Sequence, residues 1–269
     1  MAMLEGKSIV IMGGTAGLGE SAAAACAREG ARLILVGRDD PAAVAARNKF
    51  PDAQVIAADA RLPETADRAI EEAVRRHGRL DGLYHVAGGS GRSAGDGRLH
   101  EITDAGWNAT LELNLTPIFL SNRAAVRQFR RQNSGGVVLN MGSVLGFSPS
   151  PRFFATHAYA AAKAAVVGFS RSCAAYYAKE NIRFNVIAPG LVQTPMTERA
   201  SNNPAIRQFI AAKQSLAGGR IGLPADLDAA VVLLLSDAGA FITGQVLSVD
   251  GGWCVSDGPV SDVAPGGQP

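Results

Sequence analysis

The stretch KSIVIMGGTAGLGESAAAACAREGARLILVGR, residues 7–38, decides the fold. It contains an apolar strand, a glycine-rich turn, an alanine-rich helix and a second apolar strand. Gly13, Gly17 and Gly19 have the spacing G-x-x-x-G-x-G. Glycine lets the backbone turn sharply and approach a pyrophosphate without a Cβ in the way, and the start of the next helix offers free N–H groups. A tight turn without a ligand would also use glycine, but this position between the first strand and the first helix favours nucleotide binding.

The rest of the chain repeats this alternation of strand and helix. Short runs rich in Val, Ile and Leu are apolar at nearly every position, which is typical of strands buried on both faces of a parallel sheet. The pattern predicts a doubly wound α/β sheet in one domain, residues 1–255, followed by a flexible tail rich in Gly, Pro and Ser, residues 256–269. The predicted strands are 7–12, 31–37, 53–59, 80–87, 136–142, 182–189 and 245–250, and the predicted helices are 18–29, 64–77, 104–132 and 157–180.

Composition argues against several function classes. The 269 residues are 47% hydrophobic and 19% charged with a net charge of +2, so neither nucleic acid nor a membrane surface is an expected partner. No signal-peptide pattern and no membrane-spanning apolar run are found. Cys26, Cys173 and Cys254 stand far apart without metal-ligand spacing, and such a sparse, odd set fits a reducing compartment. We expect a cytoplasmic protein without a bound metal.

The end of the second strand indicates which dinucleotide binds. A carboxylate there would bind the ribose 2′-hydroxyl of NAD, whereas an arginine accommodates the 2′-phosphate of NADP. In the sequence LVGRDD, residues 35–40, Gly37 leaves room and Arg38 supplies a guanidinium suited to phosphate. Asp39 and Asp40 could instead pair with Arg38 or begin the next helix. NADP(H) is therefore favoured over NAD(H).

Two later motifs complete a family pattern. Tyr159 and Lys163, in THAYAAAK, would lie one helical turn apart on one face, and PGLVQTP follows at 189–195. The glycine turn and these two motifs follow one another in the same order as in the short-chain dehydrogenase/reductase family. The chain resembles this family over residues 4–252. The resemblance implies a Rossmann fold with a seven-stranded, mostly parallel sheet flanked by helices. It implies as catalytic residues Asn114, Ser143, Tyr159 and Lys163.

The same resemblance implies a cofactor site along the strand ends. Asp59 and Ala60 match the family's adenine-contacting pair, and the segment that begins at Pro189 matches the loop beside the nicotinamide. The implied cofactor residues are Gly13, Thr15, Gly17, Leu18, Gly19, Arg38, Asp59, Ala60, Ala87, Gly88, Tyr159, Lys163, Pro189, Gly190, Val192 and Thr194.

The chain departs from the family pattern at three places. Met12 stands where a threonine usually precedes the glycine turn. His85 and Val86 replace the two asparagines of an Asn-Asn-Ala-Gly turn, so the hydrogen bonds of those asparagines must be replaced or lost. The segment 144–158 is longer than in most members, which leaves the shape of the substrate pocket open.

The resemblance assigns a chemical role to each catalytic residue. A phenol with an ordinary pKa near 10 is a poor acid at neutral pH, and an adjacent ammonium lowers that pKa. Lys163 would act on Tyr159 in this way, while Ser143 would hydrogen-bond the substrate oxygen and Asn114 would hold a water that links Lys163 to solvent. Each residue taken alone is more often structural, so the assignment depends on their joint order.

Three connections beyond the strand ends would shape the substrate pocket: 89–103, 144–156 and 195–222. Their apolar side chains suggest a hydrophobic or aromatic ketone, although the same side chains could pack a lid or an oligomer. The substrate residues implied are Ser143, Leu145, Phe153, Tyr159 and Met196. Arg92, Arg98 or Arg152 could receive a carboxylate or an acyl-carrier phosphate, and the sequence does not choose among them.

Together these patterns predict an NADP(H)-dependent oxidoreductase that reduces a carbonyl, or oxidises the corresponding secondary alcohol, with Tyr159 as general acid/base. The resemblance includes 3-oxoacyl-carrier-protein reductases. Two alternatives stay open: an NAD-dependent alcohol or hydroxysteroid-type dehydrogenase, and a non-catalytic nucleotide-binding scaffold of the same fold. In the family the helices that match 104–132 and 157–180 pair across an interface, so we expect a homo-tetramer, with a dimer as the smaller alternative.

Overall fold

All seven predicted strands form one sheet in the computed structural model, which describes residues 2–38 and 41–258. Every pair of neighbouring strands is parallel, and each strand lies within its predicted segment, so the predicted Rossmann-type sheet is confirmed. The strands are β1 (Ser8–Met12), β2 (Arg32–Gly37), β3 (Gln54–Ala57), β4 (Gly82–His85), β5 (Gly136–Met141), β6 (Ile182–Pro189) and β7 (Val246–Val249).

The strand order, β3-β2-β1-β4-β5-β6-β7, reverses direction at β1. Met12, at the end of β1, pairs with Val36 of β2 on one side and with His85 of β4 on the other. Connections leaving neighbouring strands at such a switch point run to opposite faces and open a crevice at the carboxyl ends of the strands. The glycine-rich turn follows β1 and therefore lies at this crevice.

Helices cover both faces of the sheet. They are α1 (Gly17–Arg28), α2 (Pro41–Lys49), α3 (Pro63–His77), α4 (Asp104–Asn114), α5 (Thr116–Gln132), α6 (His157–Tyr177), α7 (Glu198–Ser201), α8 (Pro204–Lys213), α9 (Leu216–Gly219) and α10 (Asp228–Leu235). Side chains that alternate along a strand are buried on opposite faces. On one face Ile9 packs with α1 and α10, and on the other Val10 packs with α3 and α5. Most strand positions are apolar because both faces of the sheet are covered.

The prediction of one continuous helix over 104–132 was wrong. The segment forms α4 and α5, which meet at Leu115, where φ is −115° and ψ is −51°. Pro117 explains the break, because proline has no N–H to donate and its ring clashes with the carbonyl four residues earlier. Asn114 therefore ends α4 and does not lie in mid-helix. The helix predicted over 157–180 continues to Tyr177, after which Ala178–Glu180 forms a 3₁₀ turn.

The connection 195–222 is folded into helices. Ile206 and Ile210 of α8 are buried in a cluster with Leu191 and Trp253, which fixes this connection over the ends of β6 and β7. The tail predicted to be flexible begins at Ser256, and the side chain of this residue donates a hydrogen bond to the carbonyl of Ala212 (2.9 Å). Residues 259–269 lie outside the described residues.

Two absences can be stated for the described part of the chain. None of its helices combines the length and the apolar character needed to cross a membrane. Within residues 2–38 and 41–258, no group of three or more His, Cys, Asp or Glu side chains is arranged to hold a metal ion. The cysteines are free thiols, with Cys26 buried, Cys173 half-buried and Cys254 exposed.

Candidate active site

The glycine-rich turn presents bare backbone in front of α1. Gly13 and Gly17 adopt φ values of +90° and +55°, which other residues rarely adopt. A Cβ on Gly13 would lie 2.7 Å from the backbone nitrogen of Ala87, and one on Gly19 would lie 1.9 Å from the carbonyl oxygen of Gly13. No side chain caps the start of α1 at Ala16. A cradle without side chains at an open helix N-terminus fits the phosphates of a dinucleotide.

The sequence suggested that Gly37, at the end of β2, leaves room for the cofactor, and the structure differs on this point. A Cβ on Gly37 would lie 2.0 Å from Oγ1 of Thr15, so the space beside Gly37 is filled by this buried threonine. Arg38 is exposed, and its positive charge contributes to the lowered pKa of Asp59. The larger cause of that shift is Arg61, whose Nε donates to Oδ2 of Asp59 (2.9 Å).

Asn114 braces the turn that follows β4. Its Oδ1 accepts a hydrogen bond from the N–H of Gly89 (3.0 Å), and its Nδ2 donates to the carbonyl of Thr110 (3.0 Å). A Cβ on Gly88 would lie 2.8 Å from Oδ1 of Asn114 and 3.8 Å from Nζ of Lys163. Glycine is therefore required where this turn passes Asn114.

The four predicted catalytic residues line one cavity of about 360 Å³. Asn114 ends α4, Ser143 follows β5, and Tyr159 and Lys163 occupy the first two turns of α6. Six further residues predicted to bind the cofactor also line it: Leu18, Gly88, Pro189, Gly190, Val192 and Thr194. The remaining predicted cofactor residues lie along the ends of β1 to β4: Gly13, Thr15, Gly17, Gly19, Arg38, Asp59, Ala60 and Ala87.

Burial controls the protonation of the tyrosine and the lysine. Lys163 donates from Nζ to the carbonyl of Met141 (2.8 Å), and burial lowers its pKa to about 8. Burial raises the pKa of Tyr159, while hydrogen bonding with Ser143 lowers it in part. The net shift is upward, opposite to the lowering expected from the sequence, although Nζ of Lys163 lies 5.6 Å from the ring centroid. The phenol of the free protein therefore stays protonated at neutral pH, as a proton donor requires.

Asp96 positions the start of α6 and was missed by the sequence interpretation. This buried carboxylate accepts hydrogen bonds from the N–H of Ala158 (3.0 Å) and from the N–H of Tyr159 (2.9 Å). A negative charge at a helix N-terminus satisfies free N–H groups and interacts favourably with the helix dipole. Asp96 lies 63 residues before Tyr159, so no local pattern announces the cap.

Two departures from the family pattern have structural partners. Met12 is fully buried in the core, and its carbonyl accepts from the N–H groups of Val86 (2.8 Å) and Ala87 (2.9 Å). His85 is fully buried with Nδ1 2.7 Å from Oγ of Ser121. Oγ of Ser121 also lies 3.2 Å from the carbonyl oxygen of Ile118, and the tautomer of His85 decides which member of the His85–Ser121 pair is the donor.

The other ring nitrogen of His85, Nε2, has no hydrogen-bond partner among the described residues. Burial, together with the positive charge of Lys163, lowers the pKa of His85 from 6.5 to about 3. A neutral imidazole thus replaces the asparagine expected at this position.

This shift predicts a steep loss of stability in acid. Because the pKa of His85 is lower in the folded protein, the unfolded chain binds more protons between pH 6.5 and about 3. Above pH 6.5 His85 is neutral in both states and does not lower the free energy of unfolding. As the pH falls from 6.5 toward 3, protonation of His85 in the unfolded chain raises the unfolding equilibrium constant by up to about tenfold per pH unit. Urea unfolding at several pH values between 5 and 7 should show a shallower pH dependence for His85→Asn.

The exposed His100 supplies the control for this experiment, because His100→Asn should retain the wild-type slope. His77 and Asp228 also have shifted pKa values, but both are present in all three proteins and cancel in the comparison. The readout is the slope, so a lower absolute stability of His85→Asn does not affect it. Equal slopes in wild type and His85→Asn would contradict the assignment.

Part of the cavity wall is apolar. Leu145, Phe154 and Met196, which belong to two of the connections expected to shape the pocket, line it, and Trp253 lines it without having been singled out. Phe153 does not line the cavity; its ring packs against Phe209 with centroids 5.3 Å apart. Arg199 also lines the cavity and was missed, because a charged residue on a short surface helix carries no local signal.

Comparisons with known proteins agree with this geometry. A family model described as Enoyl-(Acyl carrier protein) reductase matches residues 13–254. The 2-(S)-hydroxypropyl-CoM dehydrogenase 3 of Xanthobacter autotrophicus is 35% identical over 257 residues, covering 93% of this chain and 97% of that protein. The 3-oxoacyl-[acyl-carrier-protein] reductase FabG of Thermotoga maritima is 31% identical, covering 93% and 98%. The structure of a short-chain type dehydrogenase/reductase from Mycobacterium ulcerans is similar with a TM-score of 0.86 and 27% identity, covering 96% and 93%.

Proposed function

Since the chain belongs to the short-chain dehydrogenase/reductase family, whose members act as oxidoreductases on hydroxyl or carbonyl groups, we propose that it interconverts a carbonyl compound and the matching secondary alcohol with NADP(H). The observation that carries this proposal is the meeting of Ser143, Tyr159 and Lys163 in one cavity that extends to Gly190 and Thr194. A Cβ on Gly17 would lie 3.6 Å from the side chain of Thr194, so the cavity adjoins the phosphate cradle.

Each catalytic residue of the cavity has a separate role in the proposed reaction. A bound nicotinamide supplies hydride to the carbonyl carbon, or accepts it in the reverse direction. Tyr159 donates its phenolic proton to the substrate oxygen in reduction and takes it back in oxidation. Ser143 accepts from the N–H of Leu145 (3.2 Å) and hydrogen-bonds Tyr159 in the free protein, and it would donate its proton to the substrate oxygen as charge develops there.

Lys163 and Asn114 support this proton transfer. One N–H of Lys163 is used by the carbonyl of Met141, and the other two are available to a ribose hydroxyl or to water. We propose that Asn114 helps to hold a water that returns a proton to Lys163 and Tyr159. The partial desolvation of the cavity strengthens these interactions.

Arg38 carries the proposed preference for NADP(H). Removing its guanidinium in Arg38→Ala is expected to weaken NADPH binding by about 10- to 100-fold, the effect of one charge-assisted contact, and to leave NADH binding nearly unchanged. Fluorescence titration of wild type and variant with each cofactor measures this. Arg47→Ala, an exposed arginine in the last turn of α2, is the matched control and should bind both cofactors as wild type does. Tighter binding of NADH than NADPH by the wild-type protein would instead support the NAD-dependent alternative.

The reaction itself is tested with a panel of carbonyl compounds and secondary alcohols, followed by NADPH absorbance. Turnover of one member supports the proposal. If neither cofactor binds below millimolar concentration, both oxidoreductase proposals, with NADP(H) and with NAD(H), are wrong. A ketoester panel also tests the proposed similarity in substrate to 3-oxoacyl-carrier-protein reductases.

We further propose a cytoplasmic homo-tetramer, or a dimer as the smaller assembly. Phe119 of α5 and Tyr176 of α6 are 44% and 63% exposed, which supports contacts through these two helices. The unpaired cysteines support a reducing compartment.

A further inference from the structure

The charged side chains that line the cavity are all cationic. Among the described residues they are Arg92, Lys163 and Arg199, and no Asp or Glu lines the cavity. Lys163 lies with the catalytic residues and is buried. Arg92 and Arg199 are exposed residues and therefore stand at the rim. An apolar cavity with cations at both its floor and its rim favours an anion.

The two rim arginines come from two different connections. Arg92 lies in a 3₁₀ turn, Arg92–Ala94, in the connection after β4, and Arg199 lies on α7 in the connection after β6. Arg92 donates from Nη2 to the carbonyl of Phe153 (3.2 Å), which ties its guanidinium to the segment that contributes Phe154 to the cavity. This contact uses one of its five N–H donors and leaves the others available.

Neither guanidinium forms an ion pair with a described residue. Within the described part of the chain, no carboxylate lies within 4.0 Å of Arg92 or Arg199. Desolvation, and next the positive charge of Arg199, lower the pKa of Arg92, so the two cations are close enough to repel. Asp96 opposes this effect in part, while its two oxygens accept the N–H groups of Ala158 and Tyr159. Two unpaired cations facing one cavity are stabilised by an anion placed between them.

We propose that Arg92 and Arg199 form a binding site for an anionic group, such as a carboxylate, at the end of the substrate remote from its carbonyl. This inference rests on the proposed function and specifies its substrate class: an oxo acid, or the matching hydroxy acid, whose apolar body lies against Leu145, Phe154 and Met196. Guanidinium groups suit this role because they bind carboxylates through two parallel hydrogen bonds.

The other candidate arginines are not placed for this role. Nη1 of Arg98 lies 3.4 Å from Oε1 of Glu101, and Cζ of Arg152 lies 5.1 Å from the ring centroid of Phe153. Neither of them lines the cavity. Of the three arginines that the sequence left open, the structure thus places only Arg92 at the cavity and adds Arg199.

The test compares each oxo acid with its methyl ester, which keeps the carbonyl and the apolar body but removes the charge. The probes are 3-oxobutanoate, 4-oxopentanoate and 5-oxohexanoate with their methyl esters, titrated calorimetrically at neutral pH into protein saturated with NADP⁺. Because a ketone cannot be reduced by the oxidised cofactor, binding is measured without turnover. The proteins are wild type, the double variant Arg92→Met/Arg199→Met, and the control Arg98→Met, since methionine retains much of the apolar stem.

In wild type we expect at least one acid to bind about 10- to 100-fold more tightly than its ester, the effect of a charge-assisted contact. The double variant should abolish this difference, leave the ester dissociation constants unchanged and bind NADP⁺ as wild type does. Arg98→Met should behave as wild type. Equal binding of acid and ester by wild type would overturn the inference. So would a double variant that loses NADP⁺ affinity without an acid-specific effect, because the arginines would then serve the phosphates of the cofactor.

The same probes separate this inference from the proposed function. Turnover of the esters without any preference for the acids would overturn the anion site and leave the oxidoreductase proposal intact. Arginine-dependent binding of an acid, with no turnover of any probe by NADPH or NADH, would support the anion site and count against the proposed reaction.

Discussion

Replacing Tyr159 with phenylalanine is expected to lower kcat by about 100- to 10,000-fold, the range that general acid–base catalysis contributes in enzymes. The variant removes only the hydroxyl, because the ring remains in the first turn of α6, where Asp96 holds the backbone N–H of this residue (2.9 Å). The dissociation constant for NADPH should change little. Steady-state kinetics on a substrate found in the carbonyl panel and a fluorescence titration with NADPH measure the two effects separately.

Tyr176→Phe provides the matched control on the same helix. Tyr176 is 63% exposed and lines no part of the catalytic cavity, so the loss of its hydroxyl should leave kcat at the wild-type value. A Tyr159→Phe protein with wild-type turnover would show that another group supplies the proton, and the proposed mechanism would be wrong.

The second large effect is expected from Gly19→Ala. The added Cβ would lie 1.9 Å from the carbonyl oxygen of Gly13 and 3.1 Å from Cα of Gly14. Both contacts are with backbone, so no side chain can rotate away and the glycine-rich turn itself must open. We expect the free energy of unfolding to fall by about 1–3 kcal/mol or more, as for other overpacked sites, and affinity for the dinucleotide to fall at least about tenfold because the phosphate cradle is distorted.

Gly97→Ala is the control for this substitution. Gly97 has no atom within 4 Å of an added Cβ and no positive φ, so alanine should be accommodated there without strain. Urea unfolding and cofactor titration of the two variants test the prediction. Wild-type stability together with wild-type cofactor affinity in Gly19→Ala would show that the turn accepts a side chain and is not the close-approach site described above.

Much of the fold followed from the sequence because its causes are local or repetitive. Residues 7–38 contain a complete strand–turn–helix–strand unit, and the turn required the glycines that the chain supplies. The apolar runs predicted all seven strands, since burial on both faces leaves few polar positions in the pattern, such as Asn140 and Asn185. The same reasoning failed at 104–132. The helical periodicity of the sequence continues across Pro117, but the helical backbone is interrupted just before this residue.

The candidate site followed only in part. The order of Asn114, Ser143, Tyr159 and Lys163 after the glycine turn indicated that these four residues converge, and they line one cavity. The direction of the pKa shift of Tyr159 could not be predicted from the sequence. The spacing indicates that Lys163 is a neighbour, but it does not show that Tyr159 is buried, and burial has the larger effect on this pKa. The surroundings of His85 and the space beside Gly37 also depended on distant partners, Ser121 and Thr15.

By itself the sequence determined the parallel sheet, the glycine-rich turn before α1 and the family to which the chain belongs, because each depends on the residue types within one strand–turn–helix unit or on the order of short motifs. Only the tertiary structure decided that Asp96 caps the helix of Tyr159, that a neutral His85 lies beside Lys163, and that Arg92 and Arg199 face one cavity without a carboxylate between them. Desolvation and Coulomb interactions depend on distances in space, and residues far apart in the chain acquire those distances only when it folds.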